Sequence, residues 1–185
     1  MPTESKVFLK GFIIIFSLLF LSGLSAGQQG VAPAGPAGVQ ADVQSIDSLI
    51  RTFYESLTFA EGTAPDWERF RNLFASSAVP LVRTNPGAVL VTTLDGFLEN
   101  FSGRIKSGAL ASFIEEETLR TSEAFGDIAQ VFSVYRKGMN TADPQKFGRG
   151  INSLQVFFKD GRWWIASLMW QDETPENPIP QKYLK

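Results

Sequence analysis

Residues 150–171, GINSLQVFFKDGRWWIASLMWQ, hold the reading on which the fold turns. Two runs rich in β-branched and aromatic residues, 150–159 and 162–171, flank Asp160-Gly161, a pair suited to the positive φ angles of a two-residue hairpin turn. The second run, Trp163 to Trp170, is apolar on both faces, whereas a strand with one face in water alternates. Both of its faces are therefore expected to be covered. Period-two alternation puts Trp163, Ile165, Ser167 and Met169 on an inner face and Trp164, Leu168 and Trp170 on an outer one.

Upstream, residues 111–120 and 127–137 show the same period and add two further long strands. Shorter β-rich pieces at 79–83 and 88–92 are separated by the turn residues Asn85-Pro86-Gly87. Three helices come earlier or between these pieces. Ile46, Leu49, Ile50, Phe53, Tyr54 and Leu57 form one helical stripe, with Ser45 as its cap. A second helix opens at Pro65, with Asp66 and Glu68 in its first turn and Trp67, Phe70, Leu73 and Phe74 along its buried edge. Thr93 caps a third, which carries Leu94, Phe97, Leu98, Phe101 and Ile105. Helices followed by a long meander predict an α+β fold. A curved, mostly antiparallel sheet would bend over the three N-terminal helices as a cone with a pocket inside.

Residues 1–26 combine two lysines, an apolar run from Phe12 to Leu21 and then small residues, which is the layout of a cleaved signal peptide. The run is short for a membrane span, so an exported, periplasmic or secreted protein without a stable membrane anchor is expected. Residues 27–41, rich in Gly, Ala, Pro and Gln, read as a flexible linker, and 42–185 as the domain.

Composition excludes several chemistries. The chain has 185 residues, is 44% hydrophobic and contains 16 phenylalanines, enough for one real core. There is no cysteine, so disulfides, thiol catalysis and thiolate metal sites are out. There is no histidine, which removes the commonest general base and metal ligand. Neither a metal nor a cofactor is expected. With a net charge of −2 and no basic cluster in the mature part, nucleic acid is not an expected partner.

Three stretches carry a family likeness: Pro65-Asp66-Trp67-Glu68-Arg69-Phe70, residues 125–135 (FGDIAQVFSVY), and residues 149–155 (RGINSLQ) running on to Gly161-Arg162-Trp163-Trp164-Ile165. Together with the element order, from about Ile46 to Tyr183, they resemble the nuclear-transport-factor-2-like (SnoaL-like) superfamily, in a bacterial branch without assigned activity. The resemblance implies a cone-shaped fold and, frequently, a homodimer across the convex sheet. Its enzymes typically use a pocket Asp or His as proton shuttle, sometimes with a Tyr donor, and the His is absent here. That fold hosts isomerases, dehydratases, cyclases and binders.

Candidate site residues follow from alternation. Glu115 and Glu117 share one strand face; inside a dry pocket one of them would stay protonated and serve as an acid or base, whereas on an outer face they are merely solvated. Tyr135 could act as a phenolic donor, with Asp172 or Glu173 near the mouth. On the third long strand Arg149, Ser153 and Gln155 share one face, while Asn152 lies on the other with Leu154 and Val156. A buried Asn152 would orient a ligand or brace the interior. The pocket lining is expected from Tyr54, Trp67, Phe70, Asn152, Trp163, Ile165, Ser167 and Met169. The outer tryptophan face (Trp164, Leu168, Trp170) is expected to meet a second copy or the C-terminal tail. An exported domain binding a small apolar ligand is the leading reading. A carboxylate-dependent isomerase or dehydratase of a lipophilic carbonyl compound, or a dimeric subunit with a filled core, are the alternatives.

Overall fold

The stripe of residues 46–57 folds as α1 (Ile46–Leu57). Ser45 caps it: its hydroxyl accepts the Ser48 N–H at 3.0 Å, and the Ser48 hydroxyl accepts the Ser45 N–H at 3.1 Å. Leu49, Ile50, Phe53, Tyr54 and Leu57 are all buried. Each fully buried Leu, Ile or Phe contributes roughly 1.5–3 kcal/mol. A computed structural model describes residues 40–185; residues 1–26, read as a leader, and 27–39 of the linker lie outside the described residues.

The second helix is shorter than its apolar edge implied. α2 spans Trp67–Arg71, capped by Asp66, whose carboxylate accepts the Arg69 N–H at 3.0 Å. Leu73 and Phe74 lie beyond it because the backbone on either side of Phe74 pairs with Ile165. The Leu73 carbonyl accepts the Ile165 N–H at 2.8 Å, and the Ile165 carbonyl accepts the Ala75 N–H at 3.0 Å. The chain thus leaves the helix to satisfy a strand.

A hairpin of β1 (Pro80–Asn85) and β2 (Ala88–Thr93) leads into α3 (Leu94–Lys106), capped by Thr93. Then come β3 (Phe113–Phe125), β4 (Ile128–Met139), β5 (Gly148–Lys159) and β6 (Arg162–Asp172). The described residues thus give an α+β unit with three α-helices and one six-stranded sheet, ordered β2-β1-β6-β5-β4-β3. Every pairing is antiparallel except β1 with β6, where Leu81 lies opposite Leu168 and Thr84 opposite Gln171. At the β5–β6 turn Asp160 and Gly161 take φ angles of 54° and 77°, the hairpin their pairing predicted.

Two bulges set the phase of side chains. In β3, Glu117 faces Tyr135 but Leu119 faces Val134, so Thr118 is the extra residue. In β6, Ile165 faces Val156 but Ser167 faces Gln155, so Ala166 is the extra residue. The alternation read along Trp163–Trp170 therefore holds up to Ile165 and reverses after it. One hydrophobic cluster joins helix residues Leu49, Phe53, Phe70 and Leu98 with Val131, Leu154, Ile165 and Leu168 of the sheet.

Candidate functional site

A cavity of about 460 Å³ lies between helix and sheet residues, within the range of small-molecule sites. Phe53 and Leu57 of α1, Phe70 of α2, Phe97 and Phe101 of α3, Phe113 of β3, and Leu168 and Trp170 of β6 give it apolar walls. The exposed Leu90, Val91, Met139 and Arg104 among its lining residues form the mouth. Local contacts hold these elements together. The end of α1 is stapled to β3, because the Thr58 hydroxyl donates to the Glu115 carbonyl and accepts its N–H, both at 3.2 Å. Phe59 and Phe113 pair next to this staple. The staple places Glu115 at the cavity wall.

Glu115 is half-buried and lines the cavity. The Asn152 amide donates to its Oε1 at 3.2 Å and to the Tyr54 hydroxyl at 3.1 Å. Tyr54 and Ser133 hydroxyls lie 2.7 Å apart, and Ser133 donates to Glu117 Oε1 at 2.6 Å. Since Ser133 has one proton and gives it to Glu117, Tyr54 must donate to Ser133. A continuous chain of hydrogen bonds therefore links the two glutamates through Ser133, Tyr54 and Asn152. Burial pushes the Glu115 carboxyl up to about 7, against the pull of Lys137 and Asn152 and with a small addition from Asp172. Burial, followed by the negative field of Glu115, also raises the phenols of Tyr54 and Tyr135 far above the ordinary tyrosine value. Both stay protonated donors at neutral pH.

A second polar group centres on Asp172. Its Oδ1 accepts the Tyr135 hydroxyl at 2.6 Å and the Lys137 ammonium, and its Oδ2 accepts Arg83 Nη2 at 3.0 Å. Burial works against ionisation, yet Lys137, Tyr135 and Arg83 hold the Asp172 carboxyl below its usual range. Gly150 makes room for this arrangement: an added Cβ would stand 2.2 Å from the Tyr135 hydroxyl and 2.5 Å from the Gln171 carbonyl. Close approach of an aromatic side chain is the reason for a glycine at 150.

Of the residues singled out from sequence, Glu115, Tyr135, Asn152 and Phe70 line the cavity. Glu117 shares the face of Glu115 but spends its carboxylate on Ser133, with Arg120 Nε at 3.6 Å. Tyr54 sits behind the wall in the hydrogen-bond chain, and Trp67 packs edge-on against Phe70 and Phe101. Ile165 is fully buried in the core, and Trp163 lies against it beside Phe158. Ser167 and Met169, expected inward, are turned to the opposite face by the Ala166 bulge, and Met169 is 49% exposed. The same slip brings Leu168 and Trp170, expected outward, onto the cavity wall. Only Trp164 of the expected tryptophan face points outward, stacked under the Arg162 guanidinium at 3.6 Å. The tail covers part of that outer face: Tyr183 packs on Phe132 with ring centres 5.0 Å apart, and the Ile179 N–H bonds Glu173 Oε1 at 2.9 Å. Glu173 also pairs with Arg149 at 2.8 Å, away from the cavity.

Lys137, Arg83 and Arg104 line the cavity and were not singled out from sequence. For Lys137 a signal existed: it stands two residues beyond Tyr135 and so shares its face. Arg83 comes from the parallel neighbour of β6 and Arg104 from α3, and neither placement has a local signature.

No protein-family model matches the sequence, and no curated protein matches it. Solved structures do resemble the fold. A protein of unknown function with a cystatin-like fold from Nostoc punctiforme PCC 73102 is 16% identical, with a TM-score of 0.51 over 70% of this chain and 90% of that one. An NTF2-like protein of unknown function from Pseudomonas putida KT2440 is 14% identical, with a TM-score of 0.54 over 73% of this chain and 90% of that one. A protein of unknown function from Mycobacterium tuberculosis is 18% identical, with a TM-score of 0.54 over 72% of this chain and 73% of that one. At such identities the likeness shows the fold alone.

Proposed function

We propose that this α+β domain, whose fold is NTF2-like, takes a small, mainly apolar molecule into its cavity, where Glu115 and Asn152 grip the one polar group of the ligand. The observation behind this reading is a single carboxylate, held by an amide, facing walls of phenylalanine, leucine and tryptophan. A hollow of about 460 Å³ is more than a core filled by its own side chains needs. The test is a titration of the full chain with the neutral fluorophore N-phenyl-1-naphthylamine. Saturable one-to-one binding that quenches Trp170 is expected; a folded protein without saturable binding would reject the reading.

A second reading rests on one further observation. A carboxyl with a pKa near 7 is suited to take and return a proton at neutral pH. Glu115 would then serve a carboxylate-dependent isomerase or dehydratase acting on a lipophilic carbonyl compound. Tyr135 is the weaker donor for such chemistry, because its hydroxyl proton already goes to Asp172. Lys137 is the better placed group to face developing negative charge. Export through residues 1–26 and pairing of two copies belong to the same proposal. The outward Trp164 and the exposed Met169 favour pairing, and light scattering on the purified protein measures it.

A further inference from the structure

The whole chain carries fewer bases than acids, 17 against 19, yet the cavity runs the other way. Three cations line it, Arg83 of β1, Arg104 of α3 and Lys137 of β4, against one lining carboxylate, Glu115. Asp172 of β6 lies beside them and is shared between Lys137 and Arg83. Among the described residues Arg104 has no carboxylate partner; its Nη2 lies 3.8 Å from Met139 Sδ. The buried Nε of Arg83 lacks a hydrogen-bond partner. Three positive charges minus two negative ones leave an excess of one, which becomes two when Glu115 is protonated. Lys137 from β4 and Asp172 from β6 act on the Glu115 carboxyl, which in turn acts on Tyr54 from α1 and Tyr135 from β4; Glu117 of its own strand is reached through the hydrogen-bond chain, and Arg83 from β1 and Arg104 from α3 line the same cavity.

A neutral apolar molecule in this hollow gains from its apolar walls alone, whereas an anion also compensates the surplus cations. Resting on the binding reading above, we propose that the ligand is an amphipathic monocarboxylate. Its hydrocarbon or aromatic body lies among Phe70, Phe97, Phe101 and Trp170, and its carboxylate faces Lys137, Arg83 and Arg104. Protonated Glu115 then donates to the incoming carboxylate, and ionised Glu115 repels it, so affinity falls as pH rises through neutrality.

The experiment is isothermal titration of the full chain with 6-phenylhexanoate and with its uncharged counterpart 6-phenylhexanamide, at slightly acid pH. The carboxylate is expected to bind at least tenfold tighter than the amide. Arg104→Gln, at the exposed mouth where folding is not at stake, should weaken the carboxylate several-fold and narrow its advantage over the amide. Lys137→Met should do the same more strongly. Equal affinity of acid and amide overturns the anion assignment and leaves the binding proposal standing. Carboxylate preference that survives both substitutions also overturns it, since the charge is then read elsewhere. If neither compound binds, the anion assignment falls, and the binding reading is decided separately by the fluorophore titration.

Discussion

Replacing Glu115 by glutamine should make the protein more stable at alkaline pH and leave it nearly unchanged in acid. Burial holds this carboxyl near 7 in the folded chain against an ordinary 4.5. The folded state therefore keeps the proton more tightly than the unfolded one. Its favourable contribution is complete below about pH 4.5 and is lost as pH climbs through about 7. The gap between those two values corresponds to about 3–4 kcal/mol, at roughly 1.4 kcal/mol for each tenfold change in proton affinity. Glutamine keeps the shape and can still meet Asn152, but it cannot ionise. Urea unfolding of the wild type and Glu115→Gln at about pH 5 and about pH 8 reads the difference. At the higher pH the variant midpoint should rise by about 1–3 M, with an m-value of about 1–3 kcal/mol/M. Lys137 has Asp172 as a second partner, so losing the Glu115 charge does not strand it. The reasoning is refuted if the variant is the less stable protein at both pH values by a similar amount. That outcome would mean the carboxylate is paired or hydrated well enough to cost nothing.

Leu168→Ala should cost about 2–5 kcal/mol, because the side chain is buried in the core cluster. Met169→Ala should stay within about 0.5 kcal/mol, as exposed positions do. Thermal melts of the pair test the phase set by the Ala166 bulge, and the reverse order would place the slip elsewhere. Gly150→Ala drives a methyl into the Tyr135 hydroxyl and the Gln171 carbonyl. It should lower stability by about 1–3 kcal/mol, and an unchanged melting temperature would show that Tyr135 lies elsewhere.

Much of the fold was legible because it rests on strong local signals. The α1 stripe with its serine cap, the Asp160-Gly161 hairpin and the period-two runs of β4 and β5 need few long-range facts to be read. The α2 edge misled because Leu73 and Phe74 keep helical spacing while the Leu73 carbonyl and the Ala75 N–H serve Ile165. The phase of β6 misled for a related reason. Trp163 to Trp170 carries a single polar side chain, Ser167, so a one-residue slip at Ala166 has little in the sequence to mark it. At the site, the two glutamates, Tyr135 and Asn152 were legible as residues sharing strand faces. The cations were less so, since Arg83 reaches the cavity through the parallel β1–β6 pairing and Arg104 through α3. Contacts that depend on strand order have no signature in a short window of sequence.

The carboxyl carbon of Glu115, followed by NMR in selectively labelled protein during a pH titration with and without N-phenyl-1-naphthylamine, addresses the occupied hollow most directly. A midpoint near 7 in the free protein is expected, moving upward when the neutral fluorophore displaces the remaining water around the side chain. A midpoint close to the ordinary 4.5 that ignores the fluorophore would contradict the account, for it would place Glu115 in open solvent, away from any ligand.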